Sequence, residues 1–300
     1  MRADSTPTQP TTGTAAGIPF VAVPPAVAAD KAPMILALHA FEPPRSEAAL
    51  AGTLPLASLP AWRFYLGLPM FGARLPEGGV AEVNRRGQSD YLIELYGPVV
   101  EQAAAELPRA VKDLRERFPV ADSAIGLMGV GAGGAAGLLA LAESRLPIAA
   151  AGTVNPIIEP RAVLSARERR LGIPYTWNDT SHEVAAWLDF AARADDIAAR
   201  RPQPPLLIVS GQQDDVIAPE RGRALHDALA PNYPAQALRH IEVPDLAHTM
   251  GPEPGLEPGP PAPGNVLADR ALAEWFHTHL TAAPPTAPTA PPIGETVRLN

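Results

Sequence analysis

The chain predicts an α/β fold: a mostly parallel, doubly wound sheet with helices on both faces and a helical insertion in its second half. Two observations carry this. Short apolar runs alternate with longer amphipathic stretches, as in successive strand–helix units. Runs such as Met34 to Leu38 and Leu206 to Val209 are apolar throughout, the pattern of strands buried on both faces.

In chain order, Ile18 to Val23, Met34 to His39 and Trp62 to Leu68 read as strands. Tyr96 to Phe118 has helical periodicity through Val99, Val100, Ala103, Leu107, Val111 and Leu114. Ala124 to Met128 is a strand, followed by a Gly-rich turn and a small-residue helix, Ala135 to Glu143. Ile148 to Val154 and Pro205 to Ser210 are strands, Pro219 to Leu229 a helix, Leu238 to Val243 a strand and Val266 to Leu280 the last helix. No strand appears from 156 to 204. Helical stretches there, Arg161 to Arg170 and His182 to Arg200, are expected to form a cap above the sheet.

The sequence has 37 prolines, concentrated in a few places. Met1 to Ala16 and Ala282 to Pro292 are Ala/Thr/Pro tracts with little to bury. Residues 1–17 and 282–300 are therefore expected to be disordered tails around one domain at 18–281. Gly251 to Gly264 reads as a long surface loop.

Composition narrows the function. A net charge of -8 argues against a nucleic-acid partner. No apolar run is long enough for a membrane span, and the Thr/Pro-rich N-terminus lacks a secretory h-region, so a cytoplasmic location is expected. With no cysteine there is no disulfide and no thiolate metal site. His277 and His279 lie two apart on a helix and face different ways, so neither metal nor cofactor is expected. The implied partner is a small-molecule substrate.

In open parallel sheets the ligand crevice lies beyond the C-terminal strand ends. After Leu38 come His39, Ala40 and Phe41. After Met128 comes Gly129-Val130-Gly131-Ala132-Gly133-Gly134. After Val209 come Ser210, Gly211, Gln212, Gln213, Asp214 and Asp215, and after Val243 come Pro244, Asp245 and then His248. Gly-rich turn, acid and histidine thus follow in that order. The glycines also spell a dinucleotide fingerprint, but the next strand ends in Asn155 and supplies no ribose-binding acid.

This arrangement resembles the α/β-hydrolase superfamily, in its dienelactone hydrolase and prolyl oligopeptidase-like branch, over roughly Ile18 to Leu280. Gly129-Val130-Gly131-Ala132-Gly133 sits where a Gly-x-Ser-x-Gly nucleophile elbow belongs. The resemblance implies His248 as acid/base, Asp214 as its orienting carboxylate, and the backbone N–H groups of Phe41 and Ala132 as oxyanion donors. The nucleophile position, however, is Gly131. Removing such a nucleophile costs on the order of 10⁶ in turnover, so serine-type acyl transfer is not expected.

What remains suits non-hydrolytic acid/base chemistry beside a carbonyl, such as a lyase, isomerase or cyclase step. Gly131 is expected to open space at the pocket floor for a bulky, natural-product-like substrate. His39, Glu42, Arg74, Trp177 and His182 are candidate substrate contacts, with Glu42 also a candidate second acid/base. Arg167, Arg169 and Arg170 read as a solvated helix face. Two alternatives stand beside this: hydrolysis of an activated ester or lactone by a His248-activated water, and a non-catalytic binding protein that retains the fold.

Overall fold

The computed structural model describes residues 9–280. Residues 1–8 and 281–300, which hold most of the expected tails, lie outside the described residues. The N-terminal expectation is corrected in part: Thr11–Ala15 is a strand (β1), paired antiparallel with Ile18–Val23 (β2). Ala16 and Gly17 both take positive φ, 48° and 81°, which gives a two-residue hairpin loop. The β-branched threonines then fit an edge strand half open to solvent.

The sheet has eight strands in the order β1-β2-β4-β3-β5-β6-β7-β8. The others are Met34–Leu38 (β3), Trp62–Leu66 (β4), Ile125–Val130 (β5), Ile148–Val154 (β6), Leu206–Gln213 (β7) and Leu238–Ala247 (β8). β2 meets β4 antiparallel, and every pair from β4 to β8 is parallel. The chain leaves β3 towards β4 and returns to β5 on the other side, so the topological switch lies between β3 and β5.

The helices are Glu47–Thr53 (α1), Gly79–Ser89 (α2), Gly97–Arg117 (α3), Gly131–Glu143 (α4), Pro160–Leu171 (α5), Asp179–Trp187 (α6), Ala194–Ala198 (α7), Pro219–Leu229 (α8) and Pro263–Leu280 (α9). A π-helical turn, Tyr91–Tyr96, precedes α3. Asp90 caps it by accepting from the N–H groups of Leu92 and Ile93.

Strand alternation divides the core. Met34, Leu36 and Leu38 face one layer with residues of α3, α4, α7 and α8, whereas Ile35 and Ala37 face the other with residues of α1 and α9. The insertion between β6 and β7 is not one cap. α5 and α6 pack on the π turn, but α7 packs between α4 and α8 in the flanking layer.

Helix α4 begins at Gly131, four residues before the expected start, and is buried from Gly131 to Leu141. Its small residues allow it to touch the sheet. A Cβ on Gly133 would stand 2.4 Å from the carbonyl oxygens of Leu38 and His39, so only glycine fits there. This backbone approach accounts for the glycine-rich run without any nucleotide.

Candidate active site

Asp214, at the end of β7, and His248, just beyond β8, lie together: His248 Nδ1 is 2.9 Å from Asp214 Oδ2. The other carboxylate oxygen of Asp214 accepts from the N–H groups of Val216 at 2.9 Å and Ile217 at 2.6 Å. Asp214 is thus pinned on both oxygens, which fixes the imidazole it faces.

On the opposite side, Glu42 Oε2 lies 3.5 Å from His248 Nε2. That atom is buried and has no hydrogen-bond partner among the described residues. His248 is therefore held between two carboxylates. Burial by itself would lower its pKa, but the contacts with Asp214 and Glu42 outweigh that and raise it to about 10. Burial likewise pushes the Glu42 carboxyl up, yet its contacts with His248 hold it below the usual carboxylate value. The two acidic side chains thus favour the charged form of the imidazole between them.

Three ties place these groups. Met250 N–H donates to Pro43 C=O at 2.8 Å, and Arg45 N–H donates to Gly255 C=O at 2.8 Å, so the segment after His248 is fastened to the segment after Glu42. Buried Asn155, at the end of β6, donates from Nδ2 to Ala247 C=O and accepts from Gly211 N–H. It links the ends of β7 and β8 one residue before His248. Its sequence signal was its place at a strand end, where the sequence reading asked only for an acid.

The elbow is closed. Gly131 has φ +53°, and a Cβ on it would stand 3.0 Å from the Ala40 methyl carbon. Ala40 occupies the space that Gly131 was expected to open. Phe41 and Ala132 are both buried, and Phe41 stacks on Phe71 at 4.5 Å between ring centroids.

Four expected substrate contacts are engaged elsewhere. Buried His39 accepts from Leu68 N–H through Nε2, which leaves Nδ1–H to donate to Ala40 C=O. Burial pushes its pKa down to about 4. Arg74 makes a two-pronged ion pair with Glu106, both contacts at 2.7 Å. Trp177 stacks on His182 at 4.9 Å, and the Arg161 guanidinium lies 4.1 Å over the Trp177 ring. These form the outer surface of the insertion. Glu42 is the one of the five that reaches the site.

A cavity of about 410 Å³ opens against His248 and Glu42. α5 supplies one wall through Val163, Ala166, Arg167, Arg169 and Arg170. Tyr91, Asp215, Val216 and Thr249 complete it, and neither Gly131 nor Ala132 lines it. Arg169 and Arg170 are exposed, as expected of a solvated helix face, and Arg167 is half-buried; all three also line the open cavity. The Arg-Glu-Arg-Arg run was visible in the sequence, but which side of α5 faces the strand ends was not.

Residues 77–254 match the prolyl oligopeptidase family, a stretch that includes Gly131, Asp214 and His248 and ends at the Pro-rich loop. No curated protein sequence matches. Among solved structures, the chain is similar to TT1662 from Thermus thermophilus, with 18% identity and a TM-score of 0.65 over 93% of this chain and 100% of that one. It is also similar to a puromycin-hydrolyzing peptidase of Mycobacterium tuberculosis, with 16% identity and a TM-score of 0.65 over 93% of this chain. The match spans 40% of that peptidase's length. Est1E from Butyrivibrio proteoclasticus matches with 16% identity and a TM-score of 0.59, over 91% of this chain and 100% of that one. These likenesses establish the α/β-hydrolase fold, and the family match extends over more than half the chain. The chain belongs to the prolyl oligopeptidase family.

Proposed function

We propose that this chain is an enzyme that moves protons beside a carbonyl group, without a covalent serine intermediate. The observation that carries the reading is His248 in a cavity wall with Asp214 on Nδ1 and Glu42 beside Nε2. Asp214 holds Nδ1–H and keeps the ring charged. The Nε2–H faces Glu42 across 3.5 Å, too long for a good hydrogen bond, and so remains available to a substrate oxygen.

In the proposed step a substrate carbonyl oxygen takes the Nε2 proton. Glu42 takes a proton from the adjacent carbon. The electron pair of the broken C–H bond becomes the carbon–carbon double bond of an enol, and the C=O π pair takes up the new O–H. With an α-hydroxyl the enol is an enediol: Glu42 returns its proton to the former carbonyl carbon while the second hydroxyl gives its proton to His248 and becomes the new C=O, an isomer. With a β-substituent the enol O–H returns its proton to His248, C=O re-forms, and the substituent leaves with its bonding pair and takes the proton held by Glu42, a lyase product. Each positioned proton-transfer group contributes about 10²–10⁴ in rate. A cavity of about 410 Å³ favours a small substrate over the bulky one expected from sequence.

Hydrolysis through a His248-activated water fits less well. The contacts with Asp214 and Glu42 raise the His248 pKa and favour the charged imidazole, and only the neutral form is a base. The closed elbow favours a second reading, ligand binding without turnover.

The deciding measurement is hydrogen–deuterium exchange at the α-carbon of small carbonyl compounds in heavy water. Exchange should be lost in both His248→Ala and Glu42→Gln. Exchange that persists in either variant removes the enzymatic reading, and labelled water oxygen in a product would restore the hydrolytic one. A fluorophosphonate probe should leave the protein unlabelled.

A further inference from the structure

The cavity wall carries more positive charge than its protein neighbours balance. Arg167, Arg169 and Arg170 line it, and none of them makes an ion pair among the described residues. The contacts of Arg167 and Arg169 are to neutral groups, with Glu42 acting on Arg167 only at longer range. Arg167 donates to Gly87 C=O at 3.0 Å, and its guanidinium lies 4.1 Å over the Tyr91 ring. Arg169 reaches only the main-chain oxygen of Asp215, at 3.5 Å. Of the two acids in the wall, Glu42 faces His248, and Asp215 is exposed.

This is unusual placement in a chain of net charge -8 with abundant carboxylates. Arg167 is half-buried, and burial pushes its guanidinium below the usual value. A half-desolvated guanidinium with no carboxylate in direct contact carries a cost that an anion from outside would offset. The fork geometry of arginine suits carboxylate and phosphate oxygens. Beside the arginines, Tyr91, Val163, Ala166 and Val216 give part of the wall an apolar surface. The charge sits on α5, across the same cavity from His248.

We propose that the cavity binds a small molecule with an oxyanion group, carboxylate or phosphate, on an apolar body. Arg167 and Arg170 hold the anion, and the apolar wall takes the body. Resting on the reading of His248 and Glu42 as the reacting groups, the substrate is then a carbonyl compound that also carries an acid group. Arg170 and Arg167 are specificity residues for that group.

Titration calorimetry on the full chain at low ionic strength tests this with benzoate, phenyl phosphate and the neutral benzamide. At least one anion should bind about tenfold or more tightly than benzamide, the size of one charge-assisted hydrogen-bond pair. Arg170→Gln, at an exposed position, should weaken the anion about tenfold and leave benzamide unchanged. Arg167→Lys, which keeps the charge but loses the fork, should weaken it as well. The tighter of the two anions identifies the group. Failure of both anions to bind, equal binding of benzamide, or an unchanged affinity in Arg170→Gln overturns the proposal. Binding is read without turnover, which separates the two ideas. Anion binding with no α-carbon exchange refutes the acid/base reading and supports the anion site. Exchange on a keto acid that is unaffected by Arg170→Gln does the reverse.

Discussion

Two places at the C-terminal edge of the sheet have taken opposite courses. At the β5–α4 turn, Gly131 lies under the Ala40 methyl, and its neighbours Phe41 and Ala132 are packed away from solvent. Beyond β7 and β8, Asp214, His248 and Glu42 concentrate charge against an open cavity. The same contrast separates two buried histidines. His39 has both nitrogens committed to neutral main-chain groups and a pKa pushed down to about 4, whereas His248 has two carboxylates and a pKa of about 10. Burial is similar, so the partners decide the charge.

His248→Ala is the strongest way to break the contrast. It leaves the buried Asp214 side chain and the partly exposed Glu42 side chain without the cation between them, and should cost about 3 kcal/mol of stability in urea unfolding at pH 7. A loss below about 1 kcal/mol would show that the array is not charged as described. At the elbow, Gly131→Ser puts a Cβ against Ala40 on a backbone with φ +53° and should cost about 1–3 kcal/mol. Adding Ala40→Gly should return part of that, and no return would mean that Ala40 is not the obstacle.

The histidines also set opposite pH limbs, on the order of 1–3 kcal/mol each. His39 has a folded pKa below its unfolded value. The unfolded chain binds the extra proton, so stability should fall as pH drops from about 6.5 towards 4. His248 has a folded pKa above its unfolded value. Its contribution is complete below about 6.5 and should be lost as pH rises through about 10. Urea midpoints across that range, for the wild type and for His248→Gln, should show the alkaline limb vanish in the variant while the acid limb stays.

Glu42→Gln should have the smallest effect on stability, about 1 kcal/mol, because Glu42 is partly exposed and 3.5 Å away. It should nevertheless move the His248 titration downwards in an NMR pH series. An unmoved titration would assign the raised pKa to Asp214 alone.

The sequence was most readable where chemistry depends on strand ends. Asp214 and Gly131 follow apolar runs that read as buried strands, His248 follows the alternating Leu238 to Val243 segment, and their order needed no side-chain detail. β1 was not readable, because Thr11–Ala15 becomes a strand only through its register with β2 across Ala16 and Gly17. Glu42 and Arg74 are both charged residues beside a strand end. One meets His248, 206 positions away, and the other meets Glu106. Only the folded path of the chain distinguishes them. Likewise the arginines of α5 have one periodicity whether they face water or a cavity.

The Ala40 methyl over Gly131 has a consequence for how such a chain can change. A serine at 131 would press on that methyl unless it gives way by a few tenths of an ångström. How readily a hydroxyl could take this position therefore depends on how far the strand end carrying Ala40 can yield.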